Sequence, residues 1–419
     1  MIKSNDTRTL EVVNPICCGI DVHKASLSAC MLYIDDEGEE RHEVREYSTF
    51  TDDLYRLLDW LLSKSCPIVV MESTGVYWQP VHNVFEGQIE VMIVNARSIK
   101  NLPGRKTDIE DSRWLARLLR FGLLKKSFIP TKNVREWRDL ERLKRKYRET
   151  ICDFRRRTHK FFETVNVKID SVVSDLFGAT GRALMQLLLS KGSKITLSDV
   201  KRCVHGSLKE NTEELYRSVR GFFLENHRFH LEMLLETIDE LEKKVVKIDN
   251  RISELMKAHK ELIERLEEAP GILETTARYI ISEIGTDLKS FDRAEQLVSW
   301  CGLCPGNNES AGKRKSGRNP VRRHYLRVIM VEAAWAAARK KGSYYRAKYY
   351  SLKARLGPKK AIVAVANRML KGIFHVIKNG VRFEDTGEDY LKHINEKAKI
   401  NRLAKLAHSY GFALTPISA

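Results

Sequence analysis

An α/β domain followed by a mainly α-helical region is the architecture this sequence predicts, and three observations carry that expectation. From residue 16 to about residue 125, short β-rich runs alternate with amphipathic helical segments, the pattern of a partly parallel sheet with helices on its faces. Beyond residue 130 the apolar positions follow a helical period through long, charge-rich stretches. At 419 residues with 43% hydrophobic content, the chain is long enough for two or three separate cores. The expected divisions are 1–125, a basic helical region 126–230, a coiled coil 231–262, a C-terminal domain 263–385 and a tail 386–419.

Ile16 to Asp21 and Ser26 to Ile34 are β-rich runs separated by the polar pair His23 and Lys24, and a third run surrounds Val44 to Tyr47. They predict an antiparallel meander. A helix from about Thr51 follows, with Leu54, Leu57, Leu58, Leu61 and Leu62 at the spacing of one buried face. Pro67 opens the buried-strand run Ile68 to Met71; a helix around Val76 to Phe85, stopped at Gly87, leads to the apolar strand Ile89 to Val94. Strand-strand-strand-helix-strand-helix-strand-helix is the order of a ribonuclease-H-like domain, in which acidic residues meet at the centre of the sheet.

The remainder reads as helix. From Lys132 to Lys160, apolar Leu140, Leu143, Tyr147, Ile151 and Phe154 alternate with 12 Lys or Arg and five acids. Such a basic amphipathic helix either contacts phosphate, with Arg142, Arg145, Lys146 and Arg156 as the candidate contacts, or presents a solvated face. Residues 161 to 225 show short helices and turns without recognisable chemistry. Leu231, Leu234, Ile238, Leu241, Val245, Ile248, Ile252 and Leu255 occupy alternating a and d positions. That stripe suits a coiled coil between copies, or a long helix in an intramolecular hairpin. Ala269-Pro270-Gly271-Ile272 between two short helices resembles a helix-hairpin-helix, whose backbone N–H groups near Gly271 bind phosphate; a plain αα-corner has the same pattern. A polar loop from Gly302 to Pro320 is followed by two apolar helices, about Val321 to Arg339 and Lys360 to Lys378.

Composition narrows the function. With 73 Lys and Arg against 55 Asp and Glu, the net charge of +18 is that of a polyanion binder. The eight cysteines are scattered through apolar segments, as reduced thiols of a cytoplasmic protein would be, and Cys301-x-x-Cys304 lacks a second pair for a structural zinc. No signal peptide or membrane span is expected, because Met1 to Leu10 is polar and Glu332, Arg368 and Lys371 break the longest apolar runs.

Two constellations carry chemistry. Asp21 and Glu72 each end an apolar strand, and Asp108 and Asp111 lie one helical turn apart ahead of Trp114, Leu115, Leu118 and Leu119. Four carboxylate groups suit a hard divalent cation, and two Mg2+ ions about 4 Å apart hold the attacking and leaving oxygens of a phosphoryl displacement. An Asp in a first helical turn also serves simply as a cap or dipole partner. The second constellation is Ser310 in a loop followed by Lys313, Arg314, Lys315, Arg318, Arg322 and Arg323. A serine among cations is either a nucleophile toward a phosphodiester or a turn residue donating to phosphate. Nothing suggests ATP use, since Gly104-Arg105-Lys106-Thr107 lacks the glycine spacing of a P-loop.

These residues resemble the insertion-sequence one-ten family of transposases. The matching stretches are Gly19 to Lys24, Met71 to Trp78 and Lys106 to Ser112, then Ala269 to Ile272 with Thr276-Ala277, and Leu303-Cys304-Pro305 leading to Glu309-Ser310. The resemblance implies a RuvC-like N-terminal domain whose Asp21, Glu72, Asp108 and Asp111 bind Mg2+, or Mn2+ in its place. It implies a C-terminal serine, Ser310, that forms a phosphoserine link to DNA, and a structured bridge RNA that pairs with donor and target DNA. A homo-oligomer, dimer or tetramer, is expected because two DNA ends must be recombined. One departure is Ser310-Ala311-Gly312, where several members have Ser-Gly. A structure-selective nuclease using the same carboxylates to activate water, and a non-catalytic nucleic-acid scaffold, are the competing expectations.

Overall fold

The structure, a computed structural model, describes residues 11–73, 75–95, 111–305, 308–310, 313–316, 324–413 and 415. The chain divides into two units, Met1–Ile129 and Pro130–Ala419.

The first unit is built on a five-stranded sheet. Its elements are β1 (Cys17–Val22), β2 (Ser26–Ile34), β3 (Glu40–Ser48), α1 (Thr51–Ser63), β4 (Ile68–Glu72), α2 (Trp78–Phe85), β5 (Glu90–Val94) and α3 (Asp111–Arg120). The strand order is β3-β2-β1-β4-β5, with β1, β2 and β3 antiparallel and β4 and β5 running parallel to β1. That mixed sheet, a meander extended by two crossover strands, is the ribonuclease-H-like topology expected from the element order.

Period-two alternation sorts the two faces. Cys18, Ile20, Val69, Met71 and Ile93 join Leu54, Leu57, Leu61 and Phe85 of α1 and α2 in one core. Cys17, Ile68, Val70 and Val94 pack on the other face against Leu115, Ala116 and Leu119 of α3. Each fully buried Leu, Ile or Phe contributes about 1.5–3 kcal/mol, so both layers are fixed by burial. The edge strand β3, sequence ERHEVREYS, is mostly exposed and charged, which discourages pairing with a further strand.

The second unit begins with a long helical hairpin. Helix α4 (Lys132–Thr164) leads into the short α5 (Ile169–Val172), α6 (Ala179–Lys191), α7 (Leu197–Cys203) and α8 (Thr212–Ser218), before α9 (Glu225–Leu255) returns along α4. The pairing is antiparallel: Trp137 meets His259, Lys144 meets Asp249, Arg155 meets Glu242 and Phe161 meets His230. At the start of α9, Leu231 and Leu234 are buried in one core with Phe161 and Phe162 of α4, while Leu241, Val245 and Ile248 are half-buried. Residues 161–225, silent in the sequence, close the far end of this hairpin with a core of Phe162, Val167, Leu184, Leu188, Val200 and Leu215. Thr196 and Asp199 form a capping box that starts α7.

The rest is α10 (Lys260–Glu267), α11 (Glu274–Ile284), α12 (Ala294–Trp300), the hairpin β6 (Asn308–Ser310) and β7 (Lys313–Ser316), α13 (Tyr325–Arg339), α14 (Tyr344–Leu356), α15 (Pro358–Asn379) and α16 (Asp389–Ser409). Where the sequence predicted two apolar helices after the loop, α14 stands between them as a third. Its inward positions are Tyr344, Tyr345 and Tyr349 rather than aliphatic residues, so the apolar period was hidden among cations. The cysteines are free thiols, Cys301 being buried in the core, while the Cys304 sulfur accepts from Asn367 Nδ2 at 3.8 Å. Among the described residues no helix is long and apolar enough to cross a membrane.

Candidate catalytic site

Three of the four predicted carboxylates fall at one edge of the sheet. The parallel register pairs Gly19 with Val70 and Ile20 with Met71, so Asp21 and Glu72 come level on neighbouring strands at their carboxyl ends. Alternation decides their side. Cys17 of β1, and Ile68 and Val70 of β4, belong to the face covered by α3, and Asp21 and Glu72 continue those two rows. Asp111 is the first residue of α3. All three are half-buried, as carboxylates leaving a core edge would be.

Gly19 explains how close α3 comes. A Cβ at Gly19 would lie 2.1 Å from the Ser112 carbonyl oxygen and 2.5 Å from the Ala116 nitrogen. Only a hydrogen fits there. The hydroxyls of Ser28 and Ser112 lie 3.3 Å apart, and Ser28 is the β2 partner of Asp21, so the start of α3 is held over the strand that carries Asp21. Neither serine stood out in the sequence; the only signal was a glycine inside an apolar strand. His23 Nε2 lies 3.2 Å from Asp21 Oδ2 and is largely exposed.

Asp108 lies outside the described residues. Among the described residues no group of three or more His, Cys, Asp or Glu side chains stands gathered tightly enough to hold a metal ion. The donor type nonetheless fits one class of ion: Asp21, Glu72 and Asp111 offer carboxylate oxygens, the preference of Mg2+ or Mn2+.

Ser310 ends β6, where it pairs with Lys313 of β7, and Glu309 pairs with Arg314. Lys315 is also on β7. Arg318, Arg322 and Arg323 lie outside the described residues.

The cations expected to grip phosphate on α4 are paired within the chain. Arg142 donates to both carboxylate oxygens of Glu283, at 3.0 and 3.1 Å, and its guanidinium lies 4.7 Å from the Tyr325 ring centre. Glu283 is 1% exposed, so Arg142 and Arg138 neutralise a buried charge. Arg145 and Lys146 both pair with Glu149, at 3.1 and 2.7 Å, and Arg156 pairs with Asp153. A cation already neutralised gains less from a phosphate. At the Pro-Gly turn, Gly271 has φ +83°, and a Cβ there would sit 2.3 Å from the Ala333 carbonyl oxygen of α13. The turn therefore packs against a helix backbone on that side.

A family model described as "Transposase", built on DEDD transposases of IS110 elements, matches residues 18–167. A second, described as "Transposase IS116/IS110/IS902 family", matches residues 263–351, and together the two span more than half of the chain. The chain belongs to the IS110 transposase family. Membership makes it a DNA-processing enzyme with DNA as its partner. A solved structure similar to part of this transposase is "Thermus thermophilus RuvC structure", 14% identical, covering 27% of this chain and 99% of that chain at a TM-score of 0.21. Comparison with curated proteins gives no match. The first model spans Asp21, Glu72 and Asp111 of the transposase, and the second spans Ser310.

Proposed function

We propose that this transposase cuts and rejoins DNA through a phosphoserine intermediate at Ser310, with Asp21, Glu72, Asp108 and Asp111 holding Mg2+. The observation that carries the reading is the arrival of Asp21, Glu72 and Asp111 at one edge of the sheet, on the face covered by α3. Pure binding gains nothing from acids collected beside a polyanion, whereas phosphoryl transfer does.

The Ser310 oxygen attacks the phosphorus and gives its proton to water, the Oγ–P bond forms, the bond to one deoxyribose oxygen breaks, and that oxygen takes up a proton from water and leaves as a hydroxyl. Attack by a deoxyribose hydroxyl of another strand reverses it and frees the serine. One phosphodiester is exchanged for another, so no ATP is consumed. Bound Mg2+ supplies charge stabilisation of the phosphorane-like transition state. Lys313, the β-hairpin partner of Ser310, and the neighbouring Arg314 and Lys315 bring positive charge to the same two strands. His23 Nε2 lies 3.2 Å from Asp21 Oδ2, one of the carboxylates that would hold the ion. Site choice is proposed to lie in a structured guide RNA, and the working unit is proposed to be a dimer or tetramer.

The test is a suicide DNA substrate run with Mg2+ and resolved on a denaturing gel. Wild type is expected to leave a covalent protein-DNA band, Ser310→Ala to lose it along with cleavage, and Asp21→Asn to weaken it at least ~100-fold, the scale of losing one charge-stabilising group. Metal-dependent cleavage that persists in Ser310→Ala would instead identify a nuclease that activates water.

A further inference from the structure

Between residues 333 and 383 the sequence contains 13 Lys and Arg and no Asp or Glu. Nine of those cations lie in 339–360, the end of α13, all of α14 and the first turn of α15. Elsewhere in this unit the helices intersperse acids and form ion pairs, as α4 does with Glu149, Asp153 and Glu283. Here Arg346, Lys353, Arg355, Lys359 and Lys360 make no ion pair among the described residues, and the last four are exposed.

Local helix electrostatics account for only part of this. Lys353 and Arg355 in the last turn of α14 suit the negative end of its dipole. Lys359 and Lys360 do not: they stand in the first turn of α15, which has no acid, where the dipole disfavours cations. Like charges crowded against a helix's own field repel one another until an outside anion neutralises them.

An aromatic ring sits among these charges. Tyr344, Tyr345 and Tyr349 face inward, Tyr349 packing edge-on against Trp335 at 5.4 Å. Tyr350 turns outward and is 54% exposed. Its ring is flanked along the helix by the Arg346 guanidinium at 5.5 Å and the Lys353 ammonium at 5.7 Å. Arg346, Tyr350 and Lys353 follow the i, i+4, i+7 spacing of one helical stripe. A cationic surface that served solubility alone would have no use for a large exposed ring held at its centre.

We propose that α14 and the start of α15 form a binding site for an unpaired polynucleotide strand, with Tyr350 stacking on a base and Arg346, Lys353, Lys359 and Lys360 holding the phosphates on either side. Stacking commits the site to an unpaired strand, because a duplex keeps its base faces covered. The inference rests on the reading above, in which DNA strands are cut and exchanged and a guide RNA is engaged; an unpaired stretch of either presents the same chemistry of exposed bases on a phosphate backbone.

The full-length chain is titrated, without Mg2+, with fluorescent oligo(dT) and oligo(rU) of about 15 nucleotides, within the range such grooves cover, and with a duplex of equal length. Tyr350→Ala is expected to weaken single-strand binding ~5–150-fold, the value of one lost base stack, while Tyr350→Phe retains it and the duplex is unaffected. Replacing Arg346, Lys353, Lys359 and Lys360 together by Gln should reduce the slope of log K against log salt by about 3. Loss confined to oligo(rU) identifies the strand as RNA, and loss confined to oligo(dT) as DNA; both support the site. Unchanged single-strand binding in Tyr350→Ala, or an equal loss on duplex, overturns it. Ser310→Ala should bind both oligonucleotides like wild type, so this measurement stands or falls separately from the covalent chemistry.

Discussion

Gly19 is the residue on which the geometry of the carboxylate edge turns. The atoms a Cβ would meet, the Ser112 carbonyl oxygen and the Ala116 nitrogen, are helix backbone and cannot rotate away. Gly19→Ala is therefore expected to push α3, and Asp111 with it, off the sheet and to destabilise the first unit by ~1–3 kcal/mol, the usual cost of overpacking. A chemical-denaturation midpoint of that unit checks the stability, and cleavage rate checks the displacement; an unchanged midpoint would show that α3 does not lie this close. Asp21 and Glu72 were legible as candidates because each follows an apolar run, and a carboxylate at the end of a buried strand is costly without a purpose. What the sequence could not convey was the side on which they emerge. That depends on which residues of β1 and β4 share the α3 face, a property of register rather than of composition. Arg142 shows what charge alone leaves out: expected as a phosphate contact from the charge of its helix, it also pairs with Glu283, 141 positions away in the chain.

Among elements, the α4–α9 hairpin carries its own electrostatic lock. Asp249 of α9 receives Lys144 Nζ at 2.9 Å from α4 and Arg278 Nη2 at 3.1 Å from α11. Burial pushes the Asp249 carboxyl up, but Lys144 and Arg278 outweigh it and hold the group below the usual carboxylate range. A carboxylate whose folded pKa lies below its unfolded value stabilises the fold above the unfolded value, about 3.9, and that contribution is lost as pH falls through the folded value. Stability of the second unit is thus expected to fall below about pH 4, with Asp249→Asn less stable at neutral pH and flatter in acid. Denaturant midpoints at a series of pH values test this, and a mutant as steep as wild type would contradict it. Elements with a strong period, such as α1 and the strands β4 and β5, were legible because burial imposes spacing directly on sequence. Helix α14 was not, because tyrosines hold it to the protein while its other positions are cationic. The α9 stripe was legible as a stripe, but the pairing of α9 with α4 was not: a heptad pattern specifies that something apolar faces it without saying what.

For the whole molecule, a net charge of +18 announces a polyanion partner but not where it binds. Subtracting the cations already engaged on α4 moves attention to α14 and the start of α15, a redistribution no composition statistic contains. The two units carry different groups: the first brings Asp21 and Glu72 level at the carboxyl ends of β1 and β4, and the second has Ser310 on β6, paired with β7. The account joins them through a covalent link between serine and DNA. The most direct measurement is mass spectrometry of peptides from protein trapped on a suicide substrate in Mg2+. The account predicts a nucleotide remnant on the peptide containing Ser310 and on no other. A covalent complex mapped to Ser316, to a tyrosine or to any other residue would contradict it, as would efficient cleavage with no nucleotide-bearing peptide at all.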